Sequence, residues 1–317
     1  MSISIEGYEG DFGPRPIRKE QRSPSQAQEL RQRVEDRLRE LIPPENVHPK
    51  RLHRAMRYSL LAGGKRIRPL LTIQVATDLG ASMTAALDPA CAIEMVHTAS
   101  LILDDLPCMD DAFLRRGEPA NHRVFGEDTA ILAATALLNQ AFGVIADSEH
   151  LTAQTRLDLT RLLSESVGSN GIIAGQFRDL QMQKGWQDDA ALTEMYAQKT
   201  GALFVAALEA GARVAGVDHS WVVAVREYGA NLGLAFQLLD DLLDTFGSQT
   251  DIGKDVGQDA AHETLASRLG ETGARLAVDR YVDSAASALE PLGASGVGLV
   301  ELARSYTEKT IERSLTL

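Results

Sequence analysis

The 317-residue chain has few cysteines, few aromatic residues and no excess of basic residues. Its two cysteines, Cys91 and Cys108, lie too far apart for a CxxC motif, which indicates a reducing compartment and two small core residues. The formal net charge is −12, and because no stretch forms a basic stripe, the composition argues against a nucleic-acid-binding surface. Runs of alternating β-branched residues are also missing, which argues against a β-sheet protein.

The first 25 residues lack the apolar segment of a signal peptide and contain Gly, Pro, Glu and Arg instead. The uncharged segment 129–146 approaches the length of a membrane span. Polar residues within this segment, and acidic residues close to both of its ends, favour a helix that is buried on all sides in a helical protein. We therefore expect a cytoplasmic protein without a transmembrane segment.

Helical periodicity dominates the chain after residues 1–25, whose Gly and Pro residues indicate a flexible leader. Apolar residues at helical spacing, with Pro and Gly at the ends, predict helices over residues 27–41, 49–62, 69–79, 85–106, 127–148, 153–183, 189–214, 218–246, 273–290 and 297–315. Helices of this length favour a single all-α domain over residues 26–317, a large bundle around a central apolar cavity.

Two clusters of aspartates follow apolar stretches of the sequence: Asp104, Asp105 and Asp110 in the first, and Asp240, Asp241 and Asp244 in the second. Burying even one unpaired carboxylate is costly. Three together, twice, therefore require a positive partner. Carboxylate oxygens without His or Cys suit a hard cation, and Mg²⁺ is the usual choice when a phosphate ester supplies the other ligands.

The second cluster forms a stripe on one predicted helix. Gln237, Asp240, Asp241 and Asp244 fall at positions i, i+3, i+4 and i+7, which share one face at 3.6 residues per turn. A solvated face would carry Lys or Arg among these carboxylates and would leave the helix a polar outer side. The remaining faces are rich in leucine, so the stripe predicts a buried site.

In the first cluster, His97 lies two helical turns before Asp104 on the same face. A lone His on an apolar helix is more often a core residue, but this register favours a site residue. Asp110 follows Asp104 by six positions, which a regular helix would turn away. Pro107 breaks the helix between them, so we expect Asp110 to return from a loop toward the same cation.

Basic residues accompany both clusters at predicted turns of the chain, in GGKRIRP at 63–69, RRG at 115–117, KTG at 199–201, and Lys254. Backbone amides and Arg side chains at such positions can hold a phosphate group. One such group alone is weak evidence, since charged runs are usually solvated. Together, however, they predict a substrate with two diphosphates, or two such substrates, held by both Mg²⁺ and side-chain cations.

These motifs identify a resemblance to the trans-polyprenyl diphosphate synthases, in particular the bacterial geranylgeranyl diphosphate synthases of carotenoid-type pathways. It covers about residues 28–315 and rests on GGKRIRP at 63–69, DDLPCMDD at 104–111, LRRG at 114–117, KTG at 199–201 and QLLDDLLD at 237–244. The resemblance implies an isoprenoid synthase-like fold, a homodimer and a Mg²⁺-dependent prenyltransferase. The expected reaction condenses isopentenyl diphosphate with allylic diphosphates, by ionisation, condensation and proton elimination, to geranylgeranyl diphosphate.

The resemblance also implies a role for each motif residue. Four residues are expected to bind the diphosphate of isopentenyl diphosphate: Lys65, Arg68, His97 and Arg116. Three Mg²⁺ ions are expected, two on Asp104 and Asp110 with Asp105 in support, and one on Asp240 with Asp241 and Asp244 in the same cluster. Five residues are expected to contact the allylic diphosphate: Arg115, Lys199, Thr200, Gln237 and Lys254. Of these, Thr200 and Gln237 are also expected to stabilise the allylic cation through their oxygens.

Two segments depart from the family pattern. His262 stands where relatives usually carry a second lysine, eight residues after Lys254, and Glu263 adds an opposing charge. Binding of the allylic diphosphate is therefore expected to be weaker, and weaker still at high pH if His262 must be protonated. The first cluster continues as Asp111-Ala112-Phe113, where some relatives carry further aspartates, and we expect this change to be minor.

Ala99 and Ser100 bear on the length of the product. Both precede Asp104 by about one turn and both are small, whereas farnesyl-forming relatives often carry an aromatic residue at the position of Ala99. A deep pocket and a twenty-carbon product are therefore expected, although small residues here would also serve tight helix packing. A farnesyl diphosphate synthase remains an alternative.

Two further classes of protein remain as alternatives. A class I terpene cyclase binds one diphosphate and would not need GGKRIRP at 63–69. A non-catalytic partner subunit of a prenyl synthase typically loses the aspartates, and only His262 favours that class.

Overall fold

The computed structural model describes residues 24–182, 188–246 and 264–290. These residues form a helical bundle, which confirms the all-α prediction. Its helices are α1 Pro24–Leu41, α2 Lys50–Leu60, α3 Ile67–Asp78, α4 Met83–Asp104, α5 Asn121–Phe125, α6 Glu127–Asp147, α7 Ala153–Val167, α8 Ile172–Met182, α9 Asp189–Tyr196, α10 Ala202–Ala215, α11 His219–Phe246 and α12 Leu265–Leu289. A π-helical turn, Ala197–Gly201, joins α9 to α10.

The apolar helix α4 lies at the centre of the bundle and packs against α1, α3, α6 and α10. Ser82 begins it, since its hydroxyl accepts a hydrogen bond from the backbone N–H of Ala85 at 3.2 Å. The helix ends at Asp104, shortly before Pro107. A proline ring clashes with the residue before it and disfavours helical geometry at that residue. Buried alanines on α4 and α6 allow the two helix axes to approach closely. The end of α4 therefore projects its carboxylates from a tightly packed core.

Two predicted helices contain irregularities that the periodicity does not reveal. The helix predicted over 153–183 is two helices, α7 and α8, separated by a turn at Gly168 and Gly171. A Cβ at Gly171 would lie 2.0 Å from the carbonyl oxygen of Ser166, so the turn requires glycine. The helix predicted from 273 begins at Leu265 instead, and Gly270 interrupts it with φ +67°, a backbone conformation that favours glycine.

Other expectations also require correction. A pair of two-residue strands, β1 Leu114–Arg115 and β2 Glu118–Pro119, forms an antiparallel hairpin that the sequence did not predict. Cys91 is buried as expected, whereas Cys108 is exposed. Three predictions lie outside the described residues: the leader 1–25 for all but its last two positions, the helix 297–315, and the segment that contains Lys254 and His262.

Two helices of the described residues, α4 and α6, are long and apolar enough to cross a membrane by length and composition alone. Most of the α4 segment is buried within the bundle, as in the core helix of a folded protein. The expectation that segment 129–146 is buried on all sides is wrong, because Ile131 is 44% and Leu132 59% exposed on α6. This helix packs one side against α2 and α4 and leaves the other side open.

Candidate active site

A cavity of about 480 Å³ opens between α3, α4, α8, the π-helical turn and α11. Most of the predicted site residues line it: Lys65, Arg68, His97, Ser100, Asp104, Asp110, Arg115, Arg116, Lys199, Thr200, Gln237, Asp240 and Asp244. The rest of the lining includes apolar side chains such as Leu101, Leu203 and Phe236. The cavity that the sequence predicts as apolar is therefore mixed, with charged groups and an apolar part. Lys254 lies outside the described residues.

The first aspartate cluster is assembled by the end of α4 and the loop that follows it. The backbone N–H of Asp110 donates to the carbonyl oxygen of Asp104 at 2.9 Å, so the loop folds back and places both side chains on the cavity wall. Burial raises the pKa of Asp104 to about 6, although the nearby Lys199 opposes this shift. Burial likewise raises the pKa of Asp110. Charge on these carboxylates is costly unless a cation approaches.

Asp105 points away from this wall. Its carboxylate is 2% exposed and accepts a hydrogen bond from Nε of Arg115 at 2.8 Å and a second from Nη2 of the same side chain. The sequence groups Asp105 with the metal ligands. Its contacts with Arg115 hold that cation on the cavity wall, and its place among the metal ligands stays a prediction.

The second cluster divides in the same way. Asp240 and Asp244 lie one turn apart on α11 and line the cavity. Asp241 is 4% exposed and accepts hydrogen bonds from Nε2 of Gln237 at 2.8 Å and from the hydroxyl of Tyr196. Its carboxylate is directed into the protein toward these two donors, and its place among the metal ligands stays a prediction.

One end of the cavity is cationic and is supported by a residue that the sequence analysis missed. The Arg66 guanidinium is fully buried and donates to Glu35 at 2.6 Å and to Glu94 at 2.6 Å. A third bond reaches the carbonyl oxygen of Leu60 at 2.7 Å. These bonds fix the loop before α3, so that Lys65 and Arg68, on either side of Arg66, reach the lining. Glu94, an acidic residue one turn before His97 on the apolar helix α4, was the sequence feature that could have revealed this buried ion pair.

Arg116 completes this cationic end by lying against the two glycines of the GGKRIRP segment. Its Nη1 donates to the carbonyl oxygen of Gly63 at 2.5 Å. A Cβ at Gly64 would lie 3.0 Å from Cζ of Arg116, so a larger residue there would displace the guanidinium. Gly64 also has φ +145°, which favours glycine. The glycine pair thus makes room for a cation that the hairpin supplies.

His97 and Arg68 are neighbours at the same end. Nη1 of Arg68 lies 3.4 Å from Nε2 of His97, and the guanidinium carbon of Arg68 lies 4.5 Å from the ring centre of Phe204. This stacking orients the cation. Burial, and then the charge of Arg68, lower the pKa of His97 well below its ordinary value. His97 is therefore neutral at neutral pH and contributes hydrogen bonds rather than charge.

The π-helical turn presents Lys199 and Thr200 to the cavity. A Cβ on Gly175 of α8 would lie 2.1 Å from the backbone nitrogen of Lys199, and one on Gly233 of α11 would lie 2.6 Å from Cα of Gly201. The turn is therefore held between two helices at backbone contact distance.

Lys199 itself is held by a carboxylate on α8. Its Nζ lies 2.6 Å from Oδ2 of Asp179. No motif or spacing in the sequence indicated Asp179. Burial opposes the charge on Lys199, but the carboxylates of Asp104, Asp179 and Asp110 outweigh it and raise the pKa of the ammonium group. Lys199 therefore stays charged beside the first aspartate cluster.

The carboxylates on the cavity wall suit Mg²⁺. In the part of the chain that the structure describes, no three His, Cys, Asp or Glu side chains converge closely enough to hold an ion by themselves. Mg²⁺ is commonly bound through one or two carboxylates, with water and substrate phosphates completing its coordination. Asp104 with Asp110, and Asp240 with Asp244, supply two such partial sets, both of oxygen donors.

Comparisons with known proteins agree with this arrangement. The family model described as polyprenyl synthetase matches residues 49–267. The chain is 45% identical over 246 residues to the geranylgeranyl diphosphate synthase of Pantoea ananas, covering 77% of this chain and 80% of that one. It is 41% identical over 255 residues to the farnesyl diphosphate synthase of Geobacillus stearothermophilus, covering 79% of this chain and 86% of that one.

A solved structure shares the fold. The geranyltransferase from Helicobacter pylori, complexed with magnesium and isoprenyl diphosphate, superposes with a TM-score of 0.81 at 30% identity, covering 93% of this chain and 99% of that one. The fold, the motifs and the length of the match point to the same assignment. The chain belongs to the polyprenyl synthetase family and is a prenyltransferase of isoprenoid biosynthesis.

Proposed function

We propose that this prenyltransferase is a Mg²⁺-dependent geranylgeranyl diphosphate synthase that condenses isopentenyl diphosphate with allylic diphosphates. The observation that supports the proposal is one cavity with two regions of different charge. Lys65, Arg68 and Arg116 form a cationic end without an aspartate pair, and the two aspartate pairs flank another region beside Lys199 and Arg115. Two diphosphates can therefore be held side by side by different means.

The cationic end fits isopentenyl diphosphate. Arg68 and Arg116 offer planar forks that match phosphate oxygens, and the neutral ring of His97 adds a hydrogen-bonding group. Glu94 lies 3.8 Å from Arg116 and bonds to Arg66, so it balances part of this positive charge. The diphosphate of isopentenyl diphosphate is not lost in the reaction, and a site of fixed cations is suited to hold it.

The aspartate pairs fit the allylic diphosphate, which must leave. When bound by Asp104, Asp110, Asp240 and Asp244, Mg²⁺ supplies positive charge that neutralises the departing group, and we expect three ions per site. Lys199 and Arg115 lie beside the first pair and add fixed positive charge to the same region. Lys254, from outside the described residues, is proposed to contact the same diphosphate.

The chemistry proceeds by charge separation. The C–O bond of the allylic substrate breaks, and the diphosphate leaves with the electron pair. The double bond of isopentenyl diphosphate then attacks the allylic cation to form a C–C bond, and a proton is lost to the released diphosphate. Leu101, Leu203 and Phe236 on the cavity wall exclude water that would otherwise capture the cation.

Ser100 supports the twenty-carbon product. It lines the cavity one turn before Asp104, and its hydroxyl donates to the carbonyl oxygen of His97 at 2.9 Å, so it occupies little of the cavity. Ala99 is buried in the core and does not line the cavity. The role of Ala99 in product length stays a prediction, and Ser100, which does line the cavity, is proposed to set the depth of the pocket on this side.

The direct test is incubation of the purified protein with labelled isopentenyl diphosphate, Mg²⁺ and each allylic primer in turn, followed by sizing of the dephosphorylated products. We expect a dominant twenty-carbon alcohol. A fifteen-carbon alcohol would make the protein a farnesyl diphosphate synthase, the activity named for the Geobacillus relative. No condensation by folded protein would favour a non-catalytic partner subunit, and reversion of His262 to lysine would then be the next experiment.

The assembly is proposed to be a cytoplasmic homodimer, as the family resemblance implies. The exposed Ile131 and Leu132 of α6 give an apolar surface that a second copy would cover. Light scattering of the purified protein measures the mass directly, and a mass of one chain would contradict the proposal.

A further inference from the structure

A chain of hydrogen bonds runs from the cavity wall to the start of α12. Thr200 Oγ1 donates to Oε1 of Gln237 at 2.5 Å, and Nε2 of Gln237 donates to Oδ1 of Asp241 at 2.8 Å. The hydroxyl of Tyr196 donates to the other oxygen of Asp241. The backbone N–H of Leu265 donates to the Tyr196 oxygen at 3.1 Å. Thr200 and Gln237 line the cavity, whereas Asp241 and Tyr196 lie behind them.

The chemistry of the donors and acceptors fixes the direction of every bond. An ionised carboxylate only accepts and a backbone N–H only donates. Leu265 therefore directs the Tyr196 proton to Asp241, and Asp241 directs the amide nitrogen of Gln237 toward itself. The amide oxygen of Gln237 is then left facing Thr200, so the single hydroxyl proton of Thr200 points to Gln237. The lone pairs of the Thr200 hydroxyl oxygen then remain available to a group in the cavity.

We propose that Tyr196 is a positioning residue for the transfer reaction. Through Asp241 it holds the amide of Gln237 in one orientation, and through Gln237 it keeps the hydroxyl proton of Thr200 turned away from the substrate. Thr200 then offers electron density to positive charge at the allylic carbon and donates no hydrogen bond to a diphosphate. This inference rests on the proposed function. Of the two roles expected for Thr200, it favours stabilisation of the allylic cation over contact with the allylic diphosphate.

The placement of Tyr196 suits an indirect role. It is the last residue of α9, four positions before Thr200, and it is buried outside the cavity lining. A change confined to its hydroxyl therefore leaves all substrate contacts intact. It does alter Asp241, whose carboxylate would lose the hydrogen bond that the Tyr196 hydroxyl donates.

The test begins with Tyr196→Phe, which removes only the hydroxyl. We expect kcat to fall roughly tenfold, the loss typical of one hydrogen bond to a charged group. KM for both substrates should stay unchanged, because the interaction acts on the transition state. Tyr228→Phe is the matched control, since Tyr228 is an equally buried tyrosine of α11 that does not line the cavity. A rise in KM without a fall in kcat for Tyr196→Phe would overturn the inference.

A double-mutant cycle with Thr200→Val identifies the route of the effect. If Tyr196 acts through Thr200, then Tyr196→Phe has no further effect on kcat once Thr200 is valine. Full additivity of the two losses would show that Tyr196 acts elsewhere and would overturn the inference. If Tyr196→Phe does not fold, Asp241→Asn takes its place in the same cycle, because it releases the amide of Gln237 from the opposite side.

A crystal structure of Tyr196→Phe decides the positioning step independently of activity. We expect the Thr200 to Gln237 hydrogen bond to lengthen or to be lost, with a new rotamer of Thr200 or of Gln237. An unchanged arrangement would contradict the inference even if kcat falls. Failure of the wild-type protein to condense its substrates would instead contradict the proposed function, and the crystal structure would still test the role of Tyr196.

Discussion

The end of α4 and the C-terminal part of α11 each bring two carboxylates to the cavity wall, but by different backbone designs. On α11 the helix continues, so Asp240 and Asp244 share a face through their spacing of four. On α4 the helix ends at Asp104 and a loop returns Asp110 to the same wall. Similar arrays of oxygen ligands can therefore arise from regular or from irregular backbone, and only the first kind has a simple sequence period.

The inward aspartates, Asp105 and Asp241, which point into the protein, differ more in their contacts than the outward aspartates, which line the cavity. Asp105 is bound by the cation of Arg115, whereas Asp241 accepts from the neutral groups of Tyr196 and Gln237. The first pairing places a positive charge at the cavity. The second fixes the direction of hydrogen bonds at the cavity. Two adjacent aspartates thus serve two purposes in each motif, with one facing the ligands and the other orienting a neighbour.

The largest expected effect comes from the outward carboxylates. Asp104→Asn and Asp240→Asn should each lower kcat/KM on the order of 10²–10³-fold, since each removes a charge at the departing diphosphate. Both should also raise the Mg²⁺ concentration required for half-maximal activity, measured by incorporation of labelled isopentenyl diphosphate. Asp111→Asn is a matched control on the same loop, since Asp111 is exposed and pairs with Arg123. Wild-type activity in either outward variant would contradict the assignment.

The inward carboxylates should separate by their effect on stability. Asp105→Asn leaves the partly buried Arg115 without its charged partner and should destabilise the protein by about 2 kcal/mol, less than a fully buried pair would lose. Asp241→Asn should cost less, because the hydroxyl of Tyr196 and the amide of Gln237 can reorient. Urea unfolding of both variants measures the difference. Equal losses in the free energy of unfolding would mean that the two inward aspartates stabilise the protein to the same extent.

The positions one turn before the outward aspartates sharpen the comparison. Ser100 precedes Asp104 by four residues and is small, whereas Phe236 precedes Asp240 by four and is aromatic, and both line the cavity. Ser100→Phe makes the α4 side resemble the α11 side and should shorten the product by at least one five-carbon unit. Ser100→Ala keeps the space and should leave the product unchanged. An unaltered product from active Ser100→Phe would show that the pocket extends elsewhere.

The smallest expected effect is a pH-dependent gain in stability. The pKa of Asp104 rises from 3.8 to about 6 on burial, so the folded protein binds more protons than the unfolded chain between these values. Without Mg²⁺ or substrate, Asp104 therefore lowers stability as pH rises through this window. Asp104→Asn should therefore raise Tm by at least roughly 2 °C at pH 8, since one unit of pKa difference between the two states already corresponds to about 1.4 kcal/mol.

The same variant supplies its own control at low pH. Near pH 3, below both pKa values, the wild-type side chain is largely protonated in both states, so the difference in Tm between Asp104→Asn and the wild-type protein should nearly disappear. Scanning calorimetry in the presence of a chelator measures both conditions. A difference in Tm that does not depend on pH would show that packing, and not charge, causes it.

The sequence predicted those parts of the site that depend on local spacing. The stripe of Asp240 and Asp244 follows from helical geometry, and the return of Asp110 follows from Pro107. The sequence could not show which aspartate of each adjacent pair faces the cavity, since this depends on the rotation of the helix against its neighbours. Arg66 and Glu35 are 31 positions apart, and Lys199 and Asp179 are 20 apart. No period connects such pairs, so only the fold reveals them.

The helix boundaries teach a similar lesson. The break at Gly168 and Gly171 was invisible to periodicity because apolar residues continue at helical spacing on both sides of it. The π-helical turn at Ala197–Gly201 interrupts a helix that reads as continuous in the sequence. Both irregularities lie next to the cavity, where the backbone must depart from regular geometry to present side chains.

The contact of Gly175 and Gly233 with the π-helical turn also bears on how the enzyme can diversify. Backbone atoms set the separation of α8 and α11 at this level, and no side chain intervenes that a mutation could trim. Side-chain substitutions therefore cannot gradually change the width of the cavity beside Lys199. New substrate or product preferences can arise more readily from side chains that line the cavity, such as Ser100 on α4, which can change in size without moving a helix.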